Sequence, residues 1–129
     1  MFEQDYIMRL IHELVRTFLK LIFNIDIDKK DVLIFTEKEA ETKYNDLLNL
    51  IDKGEINEAE SKLLDGLNPD DVQYYKIALM FYSYLNEKDI DFLEEHNFSK
   101  NKIIDGLQHV SEIYGYGSIA ETLLSTLLD

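Results

Sequence analysis

The sequence predicts an all-α protein, a compact bundle of six or seven helices with no sheet. Three observations carry that reading. One proline and five glycines in 129 residues leave long stretches without a helix breaker. Through most of those stretches apolar residues recur at spacings of three and four, the period of a helix face. The one β-flavoured run, DVLIF at Asp31–Phe35, is short and has no second run to pair with, so it reads as a packed connector. At this length the chain makes one domain, 1–129, large enough to bury a core without staples.

The first helix runs from about Glu3 to Phe23. Arg9, His12, Glu13, Arg16, Thr17 and Lys20 share one narrow polar stripe, and nearly everything else is apolar. An arc that wide suits a helix covered on more than one side. Either the domain wraps it or a second copy of the chain covers part of it, which makes Leu10, Leu14, Phe18 and Leu21 candidate interface residues. After the connector, Glu37–Lys53 sets Ala40, Tyr44, Leu47, Leu48 and Ile51 on one face, and Gly54 ends it by tolerating positive φ. Asn57 is the expected cap of the next helix, with Glu60 completing a capping box and Ala59, Leu63, Leu64 and Leu67 forming the buried stripe.

Asn68-Pro69-Asp70-Asp71 reads as a helix start, with Asn68 as cap, Pro69 at the first helical position and two acids at the positive dipole end. The helix that follows reaches about Asn86. Val72, Tyr75, Leu79, Tyr82 and Leu85 line one row, and Tyr74, Ile77, Phe81 and Tyr84 a second. Tyrosine suits an interface because its ring is apolar and its hydroxyl can stay wet, so Tyr74 and Tyr84 join the candidate interface residues. Asp89–His96 is a short helix stopped by Asn97. Ser99 caps another, with Ile103, Ile104, Leu107, Val110 and Ile113 inward, and Gly115 and Gly117 break it. Ser118 and Glu121 form a second capping-box pattern ahead of a short final helix, 118–128.

The formal net charge is −13. Residues 1–23 sum to zero, Glu3, Asp5 and Glu13 against Arg9, Arg16 and Lys20, so residues 24–129 carry the whole excess. The body at 37–115 is acidic. Such a surface repels phosphate backbones and anionic membranes, which argues against nucleic acid and membrane as partners and leaves room for a basic protein. No run approaches the roughly 18 apolar residues of a spanning helix. The apolar N-terminal segment is too charged for an export signal, and there is no cysteine; both fit a cytoplasmic location.

Catalytic and cofactor signatures are not supported. The residues three before His12, His96 and His109 are Arg9, Leu93 and Gly106, where a di-iron bundle needs glutamate. Asn24-x-Asp26-x-Asp28 starts like a calcium loop, but Lys29 stands where glycine is required and Phe35 where glutamate is. Phosphate-cradling glycine loops and a nucleophile elbow are missing. The expectation is therefore no catalytic, metal or cofactor residues.

Leu47–Asp71 resembles part of a tetratricopeptide repeat: Gly54, Glu55, Ile56, Glu58, Ala59 and Pro69 follow in the order of that motif. Pro69 arrives early, Ile56 replaces an aromatic, and no second copy follows at the period of about 34 residues, so the resemblance implies one repeat-like hairpin inside a bundle. More widely, DYIMRLIHELVRTFLKLIF, NLIDKGEINEAESKLL and FYSYLNEKDIDFLEEHNFSKNKIIDGLQHVSEIYG resemble an uncharacterised family of small all-helical proteins, a domain of unknown function of Gram-positive, Clostridium-like bacteria. Its shared motifs are packing motifs and imply no activity. The expected role is a non-enzymatic interaction or assembly module, self-associating through the N-terminal helix or holding another protein. A small-molecule binder, or an enzyme without a recognisable motif, is the alternative.

Overall fold

The computed structural model describes residues 2–128, and the side chains of residues 5–126. Among the described residues seven helices follow one another: α1 (Phe2–Phe23), α2 (Lys38–Asp52), α3 (Ile56–Asp65), α4 (Val72–Asn86), α5 (Ile90–Glu95), α6 (Lys100–Ile113) and α7 (Gly117–Leu128). No strand occurs among the described residues, so the fold is an all-α compact bundle.

α4 is the central helix. It packs on α1, α2 and α6, while α3 lies on α2, and α7 lies on α6 and α1. Its sequence suits that place, because both apolar rows are used: Tyr75, Ile77, Ala78, Leu79, Phe81, Tyr82 and Leu85 are all buried. Tyrosines are tolerated there because their hydroxyls find partners. Tyr75 Oη meets Ser111 Oγ at 2.8 Å, and Tyr82 Oη donates to Glu60 Oε2 at 2.7 Å. Around Tyr75 an aromatic cluster joins three elements. Tyr114 and Tyr116 stack on its ring at 4.7 and 5.8 Å, and Phe18 and Phe23 approach it from α1 at 6.3 and 6.5 Å.

Two buried lysines sit at the ends of α4 and α6. Lys100 Nζ donates to the backbone and side-chain carbonyls of Asn86, whose own amide donates to the Met8 carbonyl at 2.9 Å. Lys76 lies over the rings of Phe23 and Phe35, at 5.5 and 5.6 Å from their centroids. Burial holds its ammonium below the ordinary lysine pKa, partly countered by the charge of Glu37.

The connector between α1 and α2 folds back on α1. Ile25 N–H donates to the Leu19 carbonyl, and Asp28 lies 3.8 Å from both His12 and Arg16. Asp26 Oδ1 accepts the Asp28 N–H at 3.0 Å, so Asp26 and Asp28 build a local turn. Phe35 closes the connector against Tyr44 at 5.0 Å.

Gly54 leaves α2 with φ +87°, as its position predicts, and its missing side chain makes room for the His96 ring. Asn97 (φ 59°) ends the short helix α5, and Ser99 caps α6 by accepting the Lys102 N–H at 3.2 Å. Three expected helix starts differ. α3 begins at Ile56, and Asn57 serves elsewhere: its amide donates to the His96 and Asn97 carbonyls, tying the α2–α3 hairpin to the end of α5. α4 begins at Val72 rather than Pro69. Asn68–Asp71 forms a separate turn, closed by Asp71 N–H to the Asn68 carbonyl at 2.9 Å and by Asp70 N–H to Asn68 Oδ1 at 3.0 Å. Pro suits the second position of such a turn as well as a first helical position, so the same residues satisfy both patterns. α7 starts at Gly117, which places Ser118 inside its first turn instead of at its cap.

Candidate functional site

The α3–α4 turn and α2 frame a groove. Gly66 closes α3, and its lack of a side chain lets the Tyr74 ring lie across it. Tyr74 Oη then donates to the Leu63 carbonyl at 2.8 Å. The ring, only 8% exposed, becomes a fixed wall, and burial pushes its hydroxyl pKa up to about 12. On either side of it are two hollows of about 220 and 290 Å³ that share Lys43, Asp71 and Tyr74. Ala40, Leu47 and Ile77 supply apolar lining. Glu37, Glu39, Asp46 and Asp71 outnumber Lys43 and Lys62 among the charged lining residues. Lys43 leans on Glu39 at 3.5 Å.

A second cleft, about 380 Å³, opens where α5 meets α1. Asp5, Glu87, Asp89 and Asp91 line it together with Lys88 and the buried Lys100. Lys88 is engaged by Asp52 at 2.8 Å, which holds that carboxyl below its ordinary range. Among the described residues no group of three His, Asp or Glu side chains stands ready to hold a metal ion. His96 Nδ1 lies 2.7 Å from the Phe92 carbonyl, and His12 faces Asp28.

The residues singled out for an interface fall into four places. Leu10, Leu14 and Phe18 are 3, 0 and 0% exposed, consumed by the chain's own core. A surface for self-association on α1 would rest on Leu21, the fourth candidate of that helix, which is 61% exposed; Tyr6 is exposed as well. Tyr84 is half-buried, its hydroxyl on Asp52 Oδ1 at 2.7 Å and its ring under the Lys88 ammonium. It belongs to a polar tie between the ends of α2 and α4. Tyr74 stands at the groove beside α2, while Leu10 lines a separate hollow of about 220 Å³ with Tyr6, Arg9 and Glu13. The groove's charged lining carries no sequence signal, because Lys43, Asp46 and Lys62 read as ordinary solvated helix positions until the turn brings them together.

No helix among the described residues is long and apolar enough to cross a membrane. No curated protein and no solved structure matches the chain. Residues 1–115, from α1 through the end of α6, match a family of unknown function (DUF6483), and the chain belongs to that family.

Proposed function

We propose that the chain is a non-enzymatic interaction module that holds a basic segment of a partner protein in the groove beside Tyr74. The observation that carries this reading is the joining of two hollows around one fixed aromatic wall, with apolar lining and an acidic excess. A partner segment alternating apolar and Lys or Arg side chains fits that chemistry, and the net charge of −13 steers it inward. The α2–α3 pair, with Ala59 fully buried between helices, supports a repeat-like hairpin as the scaffold of the groove. The cysteine-free sequence supports a cytoplasmic setting.

The test is fluorescence polarisation of the full chain with a labelled Lys/Leu peptide and its Glu/Leu counterpart. The basic peptide is expected to bind, and more weakly as salt rises. Glu39→Gln with Asp46→Asn, both on exposed positions, is expected to weaken it by about tenfold while the melting temperature falls only slightly, through loss of the exposed Glu39–Lys43 pair. Equal binding of both peptides, or no effect of the double change, would overturn the reading. A small-molecule role is the second reading, supported by the 380 Å³ cleft at Lys100. A metabolite that raises the melting temperature equally in the doubly changed chain would favour it.

A further inference from the structure

The groove beside Tyr74 is uneven. Its two hollows share Lys43, Asp71 and the Tyr74 ring, and the two shared charges balance. What remains differs. The smaller hollow adds Glu37 and Glu39, whereas the larger adds Asp46 and Lys62, which cancel. The acidic excess of the groove therefore sits in the smaller hollow. Polar surface prevails there, and apolar surface prevails in the larger hollow, against Leu47 and the bare backbone of Gly66.

The acids of the smaller hollow are not spent on capping. Glu37 and Asp71 precede α2 and α4 at the capping position, and neither side chain accepts a hydrogen bond from its helix start. Glu37 acts on the buried Lys76 instead. The Glu39 side chain is 83% exposed, and Lys43 is its one ion-pair partner among the described residues, at 3.5 Å. An exposed pair of that kind is weak, so Glu39 can exchange Lys43 for an arriving cation. Tyr74 brings no competing polar group: its hydroxyl is committed to the Leu63 carbonyl at 2.8 Å, and it offers the groove its ring.

We propose that the groove reads its partner with a fixed polarity: a basic side chain of the bound segment enters the smaller hollow at Glu39, and a neighbouring apolar side chain enters the larger hollow at Leu47 and Gly66, with the Tyr74 ring between them. This rests on the reading of the groove as a seat for a basic segment, and it names what each part of that seat takes. Charge decides the assignment. A cation in the larger hollow meets Lys62 as well as Asp46, whereas in the smaller hollow it meets an excess of carboxylate. An apolar side chain gains most where the most apolar surface can be covered, in the larger hollow.

Fluorescence polarisation with single changes in the full chain tests the polarity, at about 0.15 M salt, where exposed charges beyond about 8 Å are largely screened. Glu39→Gln is expected to account for most of the loss seen in the double change, at least about fivefold for the Lys/Leu peptide, while Asp46→Asn stays within about twofold. With a Gln/Leu peptide the effect of Glu39→Gln should vanish. Asp46→Leu, which extends the apolar rim of the larger hollow, should bind the Lys/Leu peptide about threefold tighter than Asp46→Asn does, and a Lys/Ala peptide no tighter. Equal losses from Glu39→Gln and Asp46→Asn, or a larger one from Asp46→Asn, would overturn the polarity and leave the basic-segment reading standing. A loss from neither would overturn both. A melting temperature lowered by Glu39→Gln with binding unchanged would mean that this acid serves only the start of α2, and would likewise overturn the proposal. If Asp46→Leu tightens both peptides equally, or neither, the apolar half is overturned.

Discussion

α1 and α4 have the same problem and solve it differently. Both are apolar around most of their circumference. α1 sheds water through aliphatic and phenylalanine side chains against α4, α6 and α7, and it leaves Leu21 and Tyr6 outside. α4 carries tyrosines into the same core and must satisfy each hydroxyl: Tyr74 on the Leu63 carbonyl, Tyr75 on Ser111, Tyr82 on Glu60. A wide apolar arc therefore says that a helix is enclosed without saying by whom, whereas a buried tyrosine names a specific partner at its tip. The groove forms beside the helix whose side chains are fixed at both ends.

The strongest way to break this comparison is at α1. Phe18→Ala should cost about 3–5 kcal/mol in chemical denaturation, because the ring is fully enclosed. Leu21→Asp, less than one turn on, should change stability by no more than about 0.5 kcal/mol. Equal effects at both positions, or a Phe18 variant that alters only association, would mean that α1 is covered by another chain after all. The next effect sharpens the α4 side. Tyr75→Phe keeps the ring stack and removes only the hydroxyl, leaving the buried Ser111 hydroxyl without it; a loss of about 1–3 kcal/mol is expected, read by urea denaturation.

A smaller effect than that of Tyr75 lies where the two helices meet, at Lys76. Its folded pKa is lowered, so the unfolded chain binds that proton more tightly, and the cost to stability is present at neutral pH. It fades as pH rises from the depressed folded value toward 10.5, the ordinary one. Lys76→Met should thus stabilise the chain by about 1 kcal/mol near neutrality, offset in part by the lost contacts with Phe23 and Phe35, and the gain should shrink on going to alkaline pH. Melting curves across that range check it. A gain that grows with pH would show that the ammonium is held by an attraction stronger than its desolvation.

Helix order was legible in the sequence because period and breakers are local. Gly54, Asn97 and Ser99 each act where their chemistry suggests. Helix starts were less legible: Asn68-Pro69-Asp70-Asp71 satisfies a cap and a turn equally, and only packing selects the turn. Asn57 has the right side chain for a cap, but the Asn97 backbone, forty residues on, claims it. The buried state of Leu10, Leu14 and Phe18 is long-range in the same sense, since a helix face cannot reveal whether its cover belongs to the same chain. Of the groove, only Tyr74 was visible in advance. Its partner Leu63 is apolar, and the hydrogen bond goes to a backbone carbonyl, which no side-chain pattern announces.

The tyrosine stack has an optical consequence. The chain contains no tryptophan, so its near-ultraviolet signal is a tyrosine signal. Tyr75, Tyr114 and Tyr116 lie nearly parallel, with interplanar angles of 7° and 17° to the central ring, and two of the three belong to the link before α7. Their coupled chromophores make that link a built-in spectroscopic gauge. Circular dichroism of the unlabelled protein will register whether the link keeps its seat.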